Sequence, residues 1–209
     1  MPASIVFATN NEHKLHEMRD ILGSSYSVLS LSDIGCHDDI PETAPTLEGN
    51  ALQKARWVAD RYGCDCFADD TGLEVEALDG APGVLSARFA RACGRGNSHD
   101  SQANSALLLE RLAGIDNRRA RFRTAIALIA GGKATVVEGI VEGSIAIEPR
   151  GTDGFGYDPL FIPEGHRRTF AQMSAAEKNA ISHRHNAAMA LRRVLEEAGS
   201  ANCRKPYAQ

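Results

Sequence analysis

Four short segments of the 209-residue chain hold the side chains best suited to chemistry. Thr9, Asn10, Asn11, Glu12, His13 and Lys14 lie where an apolar run, Ser4 to Ala8, gives way to helical spacing at Leu15, Met18 and Leu22. A strand turning into a helix there offers backbone N–H groups and the positive end of the helix dipole to an anion, and Lys14 adds a point charge. The segment lacks the glycines of a P-loop, so a capped surface helix with a solvated lysine is the alternative reading. The second segment pairs Asp69 and Asp70. Together with Glu42, in a loop bounded by prolines, they can converge on Mg2+, which takes one or two carboxylates and keeps waters. Asp-Asp-Thr-Gly after a strand is equally an ordinary turn.

The third segment, Gly151 to Pro159, sets Phe155, Tyr157 and Asp158 in a glycine-rich loop. Such a loop is costly to order, and stacking of a purine ring on its aromatics would offset that cost. Either ring taken singly can instead plug the core. In the fourth segment Lys178, His183 and Arg184 offer donors to a phosphate or a carbonyl oxygen. Five residues separate Lys178 from His183, a rotation of roughly 140° on a straight helix. A break is therefore predicted near Ile181, with Ser182 as a second N-cap. His185 reads as part of an exposed polar face.

These segments need elements to hold them. Tyr26 to Leu31 reads as a strand. From Thr46 the positions Leu47, Ala51, Ala55, Val58 and Tyr62 form one stripe, which predicts a helix stopped by Gly63, with Glu48, Asn50 and Lys54 on its polar face. Cys64 to Ala68 and Leu73 to Ala77 read as two strands interrupted by Asp69 to Gly72, which places the acids at a strand end. Asp79 to Ser98 reads as a connection, and Leu107, Leu108 and Leu112 mark a helix ending near Gly114. Gly131-Gly132 between two β-type runs predicts a hairpin. Arg119, Arg121 and Arg123 alternate along its first strand, as on a solvated sheet face or subunit contact. Ser174 with Glu177 forms a capping box, and helix follows to about Ala198. Alternating strands and helices followed by a hairpin predict an α/β architecture with a mixed sheet.

Composition narrows the partners. Lys and Arg total 23 against 27 Asp and Glu, a net charge of −4, so no bulk field draws the chain to nucleic acid or an anionic membrane. A polyphosphate must be gripped locally. The five cysteines, Cys36, Cys64, Cys66, Cys93 and Cys203, show no paired metal-ligand spacing and suit a reduced, cytoplasmic setting. No stretch has the length and apolarity of a membrane span.

Taken in order, Thr9-Asn10-Asn11-x-x-Lys14, Asn50-Ala51-x-x-Lys54-Ala55, Ala68-Asp69-Asp70-Thr71-Gly72-Leu73, Gly80-Ala81-Pro82-Gly83, Phe155-Gly156-Tyr157-Asp158-Pro159 and Lys178-x-x-Ile181-Ser182-His183-Arg184 resemble the inosine triphosphate pyrophosphatase family. The match runs from Thr9 to about Leu195. The resemblance implies hydrolysis of non-standard purine nucleoside triphosphates to the monophosphate and pyrophosphate. It further implies a long mixed β-sheet flanked by helices, two lobes around a central active-site cleft, a domain over 1–199 with a tail at 200–209, and a cytoplasmic homodimer. It places Thr9 to Lys14 and Lys54 on the triphosphate, Glu42 and Asp70 at Mg2+ with Asp69 beside them, and Asp70 as general base. Thr71 takes a substrate-contact position. Phe155, Gly156, Tyr157 and Asp158 enclose base and sugar, Lys178 approaches the phosphates or the base edge, and His183 with Arg184 recognises the purine. Asp153 and Leu47 depart from the family pattern. A pyrophosphatase for pyrimidine or modified nucleotides, a nucleotide-binding regulator without turnover, and a phosphotransferase, disfavoured by the absence of a P-loop or kinase glycine loop, are the competing readings.

Overall fold

In the computed structural model residues 3–197 are described. The chain runs β1 (Ala3–Phe7), α1 (Glu12–Leu22), β2 (Tyr26–Leu29), α2 (Leu47–Tyr62), β3 (Cys66–Val75), α3 (Phe89–Ala92) and α4 (Ser101–Arg111). β4 (Arg119–Ala130), β5 (Lys133–Ile145), β6 (Phe161–Pro163), α5 (Ala175–Ile181) and α6 (His183–Glu197) complete it. Side chains set most helix starts: Asn11, Thr46, Asp100 and Ser174 each accept a backbone N–H of the first turn. Ser174 and Glu177 close the expected capping box. The break between α5 and α6 also falls where spacing placed it, with Ser182 extended between the two helices.

The six strands form one mixed sheet in the order β2-β1-β3-β4-β5-β6. β1 runs parallel to β2 and to β3, with Phe7 opposite Phe67, and β5 runs antiparallel to β6. The β4–β5 turn is Gly131-Gly132, with φ of 54° and 77°, values that the two-residue hairpin turn demands and that glycine adopts without strain.

The chain divides into two units, and the division falls within β3, β4 and β5 and after the first residue of α6. Unit 1 takes the described residues up to Asp70, Thr124–Gly139 and those from Arg184 onward. Its core joins Ile5, Phe7, Met18, Phe67, Ile126 and Leu191, with the Phe7 and Phe67 rings stacked at 4.5 Å. Unit 2 takes Thr71–Arg123 and Ile140–His183. Leu73, Leu108, Phe122, Tyr157, Phe161 and Phe170 belong to its core.

Three expectations change. β3 is continuous from Cys66 to Val75, so Asp69 and Asp70 lie mid-strand rather than in a turn. Their buried side chains find tertiary partners, and that overrides the turn preference of Asp-Asp-Thr-Gly. The connection after Asp79 contains a 3-10 turn at Gly83–Arg88 and the short α3. Asn50 and Lys54 belong to the buried stripe of α2 with Leu47, Ala51 and Val58, because 47, 50, 51, 54, 55 and 58 share one helix face. The tail at 200–209, with Cys203, lies outside the described residues. Cys36, Cys64, Cys66 and Cys93 are free thiols. Among the described residues no helix is long and apolar enough to cross a membrane.

Candidate active site

In unit 1 the turn from β1 to α1 is held by its own polar side chains. The Asn11 N–H donates to Thr9 Oγ1 at 3.2 Å, and Asn11 Oδ1 accepts the Lys14 N–H at 3.1 Å. Asn10, Glu12 and His13 are exposed around this turn, and Thr9 is half-buried. Lys14 reaches across to β3, its Nζ 3.0 Å from Asp69 Oδ1. Arg184, at the start of α6, is 1% exposed, pairs with Glu17 of α1 and brings Nε to 3.7 Å from Asp69 Oδ2. Lys54 of α2 bonds Glu42, and Asn50 donates Nδ2–H to Asp70 Oδ2 at 2.9 Å.

The two aspartates carry opposite electrostatics. Burial pushes Asp69 up, but Lys14, Arg184 and Lys54 together outweigh it and hold its carboxyl below the usual range. For Asp70 burial prevails over Lys54, Lys14 and the Asn50 hydrogen bond, so its carboxyl stands above the usual range. Burial also lowers Lys14, against the pull of Asp69. In Lys54 it is overcome by Asp69, Glu42 and Asp70, which raise the ammonium. Glu42 is depressed, since Lys54 and Lys14 more than offset its burial.

No group of three or more His, Cys, Asp or Glu side chains suited to a metal gathers among the described residues. Mg2+ asks for less: one or two carboxylates, waters and substrate phosphate oxygens. Asp70 and Glu42 fit that requirement. The raised carboxyl of Asp70 is a group whose charged form a nearby cation would favour. Asp69 is engaged by Lys14 and Arg184.

Unit 2 holds a second set. Asp158 Oδ2 accepts the Phe155 N–H and Lys178 Nζ, each at 2.8 Å, and both charged side chains are buried. Gly154 permits this approach: at φ +77° it carries no Cβ, and one placed there would stand 2.2 Å from Asp158 Oδ2. Lys178 Nζ also lies 4.9 Å from the centroid of the half-buried Phe155 ring. Tyr157 plugs the core, its hydroxyl donating to the Ser86 carbonyl at 3.0 Å, and burial pushes that hydroxyl's pKa up. His183 stacks on Phe122 at 4.6 Å and lies 6.4 Å from Phe170. Thr71 and Gly156 are half-buried.

Glu17, Asn50, Phe122 and Phe170 join these sets without having been assigned a role from sequence. The signal for Asn50 is its place in the apolar stripe of α2. Glu17 follows Lys14 at i+3 on α1 and so shares its face.

A family model described as the Ham1 family matches residues 5–194. This chain belongs to the Ham1 family. Among Ham1-like relatives, the dITP/XTP pyrophosphatase of Porphyromonas gingivalis is 55% identical over 192 residues, covering 91% of this chain and 96% of its own. The dITP/XTP pyrophosphatase of Mycobacterium bovis is 48% identical over 189 residues, covering 88% and 90%. The solved Staphylococcus aureus Ham1 protein superposes with a TM-score of 0.83 at 38% identity, covering 93% of this chain and 99% of its own. A solved nucleoside-triphosphatase / dITP/XTP pyrophosphatase of Mycobacterium abscessus gives a TM-score of 0.72 at 46% identity, covering 90% and 98%.

Proposed function

We propose that this chain is a nucleoside triphosphate pyrophosphatase that hydrolyses non-standard purine nucleoside triphosphates, the inosine and xanthosine types, to the monophosphate and pyrophosphate. The observation that carries the reading is the contrast within β3 between Asp69, held charged by Lys14 and Arg184, and Asp70, whose buried carboxyl stands above its usual range. Relatives at 46–55% identity named dITP/XTP pyrophosphatase support the substrate class.

Mg2+, held by Asp70 and Glu42 with waters, would neutralise phosphate charge and make the α-phosphorus a better electrophile. Lys14 and Lys54 add positive charge for the triphosphate, and the exposed residues Asn10, Glu12 and His13 at the N-terminus of α1 present the positive end of its dipole to the oxygens. Asp70 orients the attacking water and accepts its proton, a role suited to a carboxyl raised toward neutral pH. Asp69 keeps Lys14 and Arg184 in place. No covalent nucleophile is needed.

The aromatic set suits the purine. Phe155 offers a stacking face, and the Asp158–Lys178 pair holds its loop closed. A hydrogen-bond donor from His183 or Arg184 matches a 6-oxo group, whereas the 6-amino group of adenine would leave it unmatched, a penalty of about 1–3 kcal/mol. We place the enzyme in the cytoplasm, which a nucleotide-pool substrate and the free cysteines favour, and take the homodimer from the family resemblance.

Pyrophosphate release from inosine, xanthosine, adenosine, guanosine and pyrimidine triphosphates, with and without Mg2+, tests this reading. Fast, Mg2+-dependent release confined to the inosine and xanthosine substrates, and lost in Asp70→Asn, is the expected result. Equal turnover of ordinary nucleotides removes the selectivity, and activity surviving Asp70→Asn removes the assigned base.

A further inference from the structure

α2 ties down three consecutive residues of the loop that precedes it. Lys54 bonds Glu42, Gln53 Oε1 accepts the Thr43 N–H at 2.9 Å, and Asn50 Oδ1 accepts the Ala44 N–H at 2.9 Å. The other end of the Asn50 amide donates to Asp70 Oδ2, also at 2.9 Å. Asn50 is wholly buried on a stripe otherwise filled by Leu47, Ala51, Ala55 and Val58, apart from Lys54. A small apolar residue would fill that stripe without the desolvation penalty of an amide, so the amide's value lies in having both ends bonded. Its orientation is determined. The Ala44 N–H can only donate, so the amide oxygen faces the loop and the NH2 faces Asp70.

We propose that Asn50 is a positioning residue for the reaction. Its single amide restrains the Asp70 carboxylate on one side and, through Ala44, the loop carrying Glu42 on the other. The two carboxylates assigned to Mg2+ thereby keep one separation. Asn50 thus acts through Asp70 and Glu42 and touches no substrate, an inference that rests on the roles proposed for those two residues. A rigid support of this kind matters because a displacement of about 1 Å in a catalytic group can cost on the order of a hundredfold in rate.

The test compares Asn50→Ala and Asn50→Asp with the intact enzyme and with Asp70→Asn. Asn50→Asp keeps the shape and the acceptor for the Ala44 N–H but turns a carboxylate toward Asp70. Turnover of inosine triphosphate is measured beside calorimetric affinity for a non-hydrolysable α,β-imido inosine triphosphate with Mg2+, and melting temperature verifies folding. Both variants are expected to lose at least about tenfold in kcat while analogue affinity stays within about threefold, the split of a residue acting on geometry in the reaction. Wild-type kcat in Asn50→Asp overturns the proposal, as do equal losses of rate and affinity. Should Asn50→Ala fail to fold, Asn50→Asp decides alone. Activity in Asp70→Asn strikes at the underlying reading; a dead Asp70→Asn beside fully active Asn50 variants strikes only at Asn50.

Discussion

Asp69 and Asp70 are neighbours in sequence with opposite consequences for stability. Asp69 is held below its ordinary range, so the stability it contributes is present above that range and is lost as pH falls through its lower folded value. Asp70 is held above it, so folding is favoured while the carboxyl stays protonated, and that contribution is lost as pH rises through the raised value. Calorimetry at pH 8 in chelator should therefore find Asp70→Asn more stable than the native chain, by about 1 kcal/mol or roughly 2–4 °C. The gain should vanish near pH 4, and a melting temperature at or below the native value at pH 8 would refute it. Asp69→Asn leaves the half-buried Lys14 and the buried Arg184 beside a neutral group and should cost about 3–5 kcal/mol. At this scale the sequence was partly legible. Lys14, Asp69 and Asp70 stand out by type and place, whereas Asn50 and Lys54 read as a polar face because polarity was weighed above their 3–4 spacing with Leu47 and Val58.

Elements were most legible where local chemistry decides them. Asn11, Thr46 and Ser174 cap helices as their types suggest, and Gly131-Gly132 makes the hairpin turn. β3 was misread because only partners distant in sequence, Lys14, Asn50 and Arg184, make a continuous buried strand of Asp69 and Asp70 acceptable. The Gly151–Pro159 loop was legible as glycine-rich and costly to order, and in the fold Asp158 of the same loop approaches Gly154. That approach makes a sharp test. Gly154→Ala would put a methyl group 2.2 Å from Asp158 Oδ2 and part Asp158 from the buried Lys178. A loss of about 3 kcal/mol is expected, with KM for inosine triphosphate raised on the order of tenfold. Gly131→Ala, with positive φ but nothing within 4 Å of its Cβ, should cost only about 1–2 kcal/mol when both variants are unfolded by denaturant titration. Equal costs would show that the clash is relieved without disturbing the Asp158–Lys178 pair.

For the whole molecule, hydrophobic periodicity predicted α/β layering with a mixed sheet, but it could not divide the chain into two units. The strands β3, β4 and β5 pass through the division, and local spacing carries no mark of it. The family resemblance supplied that expectation, and each unit has its own core. A ligand that binds only the folded chain must raise its stability by mass action, whatever residues it touches. At about a hundred times its dissociation constant the gain is about 2.7 kcal/mol, worth roughly 5–10 °C for a chain of this size. α,β-Imido inosine triphosphate with Mg2+ should give that shift in scanning calorimetry. The adenosine analogue at the same concentration should give less, because a binding penalty of about 1–3 kcal/mol for the 6-amino group lowers the gain to between about 0.3 and 1.7 kcal/mol. The contrast should persist in Asp70→Asn if selectivity resides in the aromatic set and His183 rather than in the catalytic carboxylate. Equal shifts for the two analogues would move discrimination out of ground-state binding and into the chemical step, where only the ratio of kcat/KM values would reveal it.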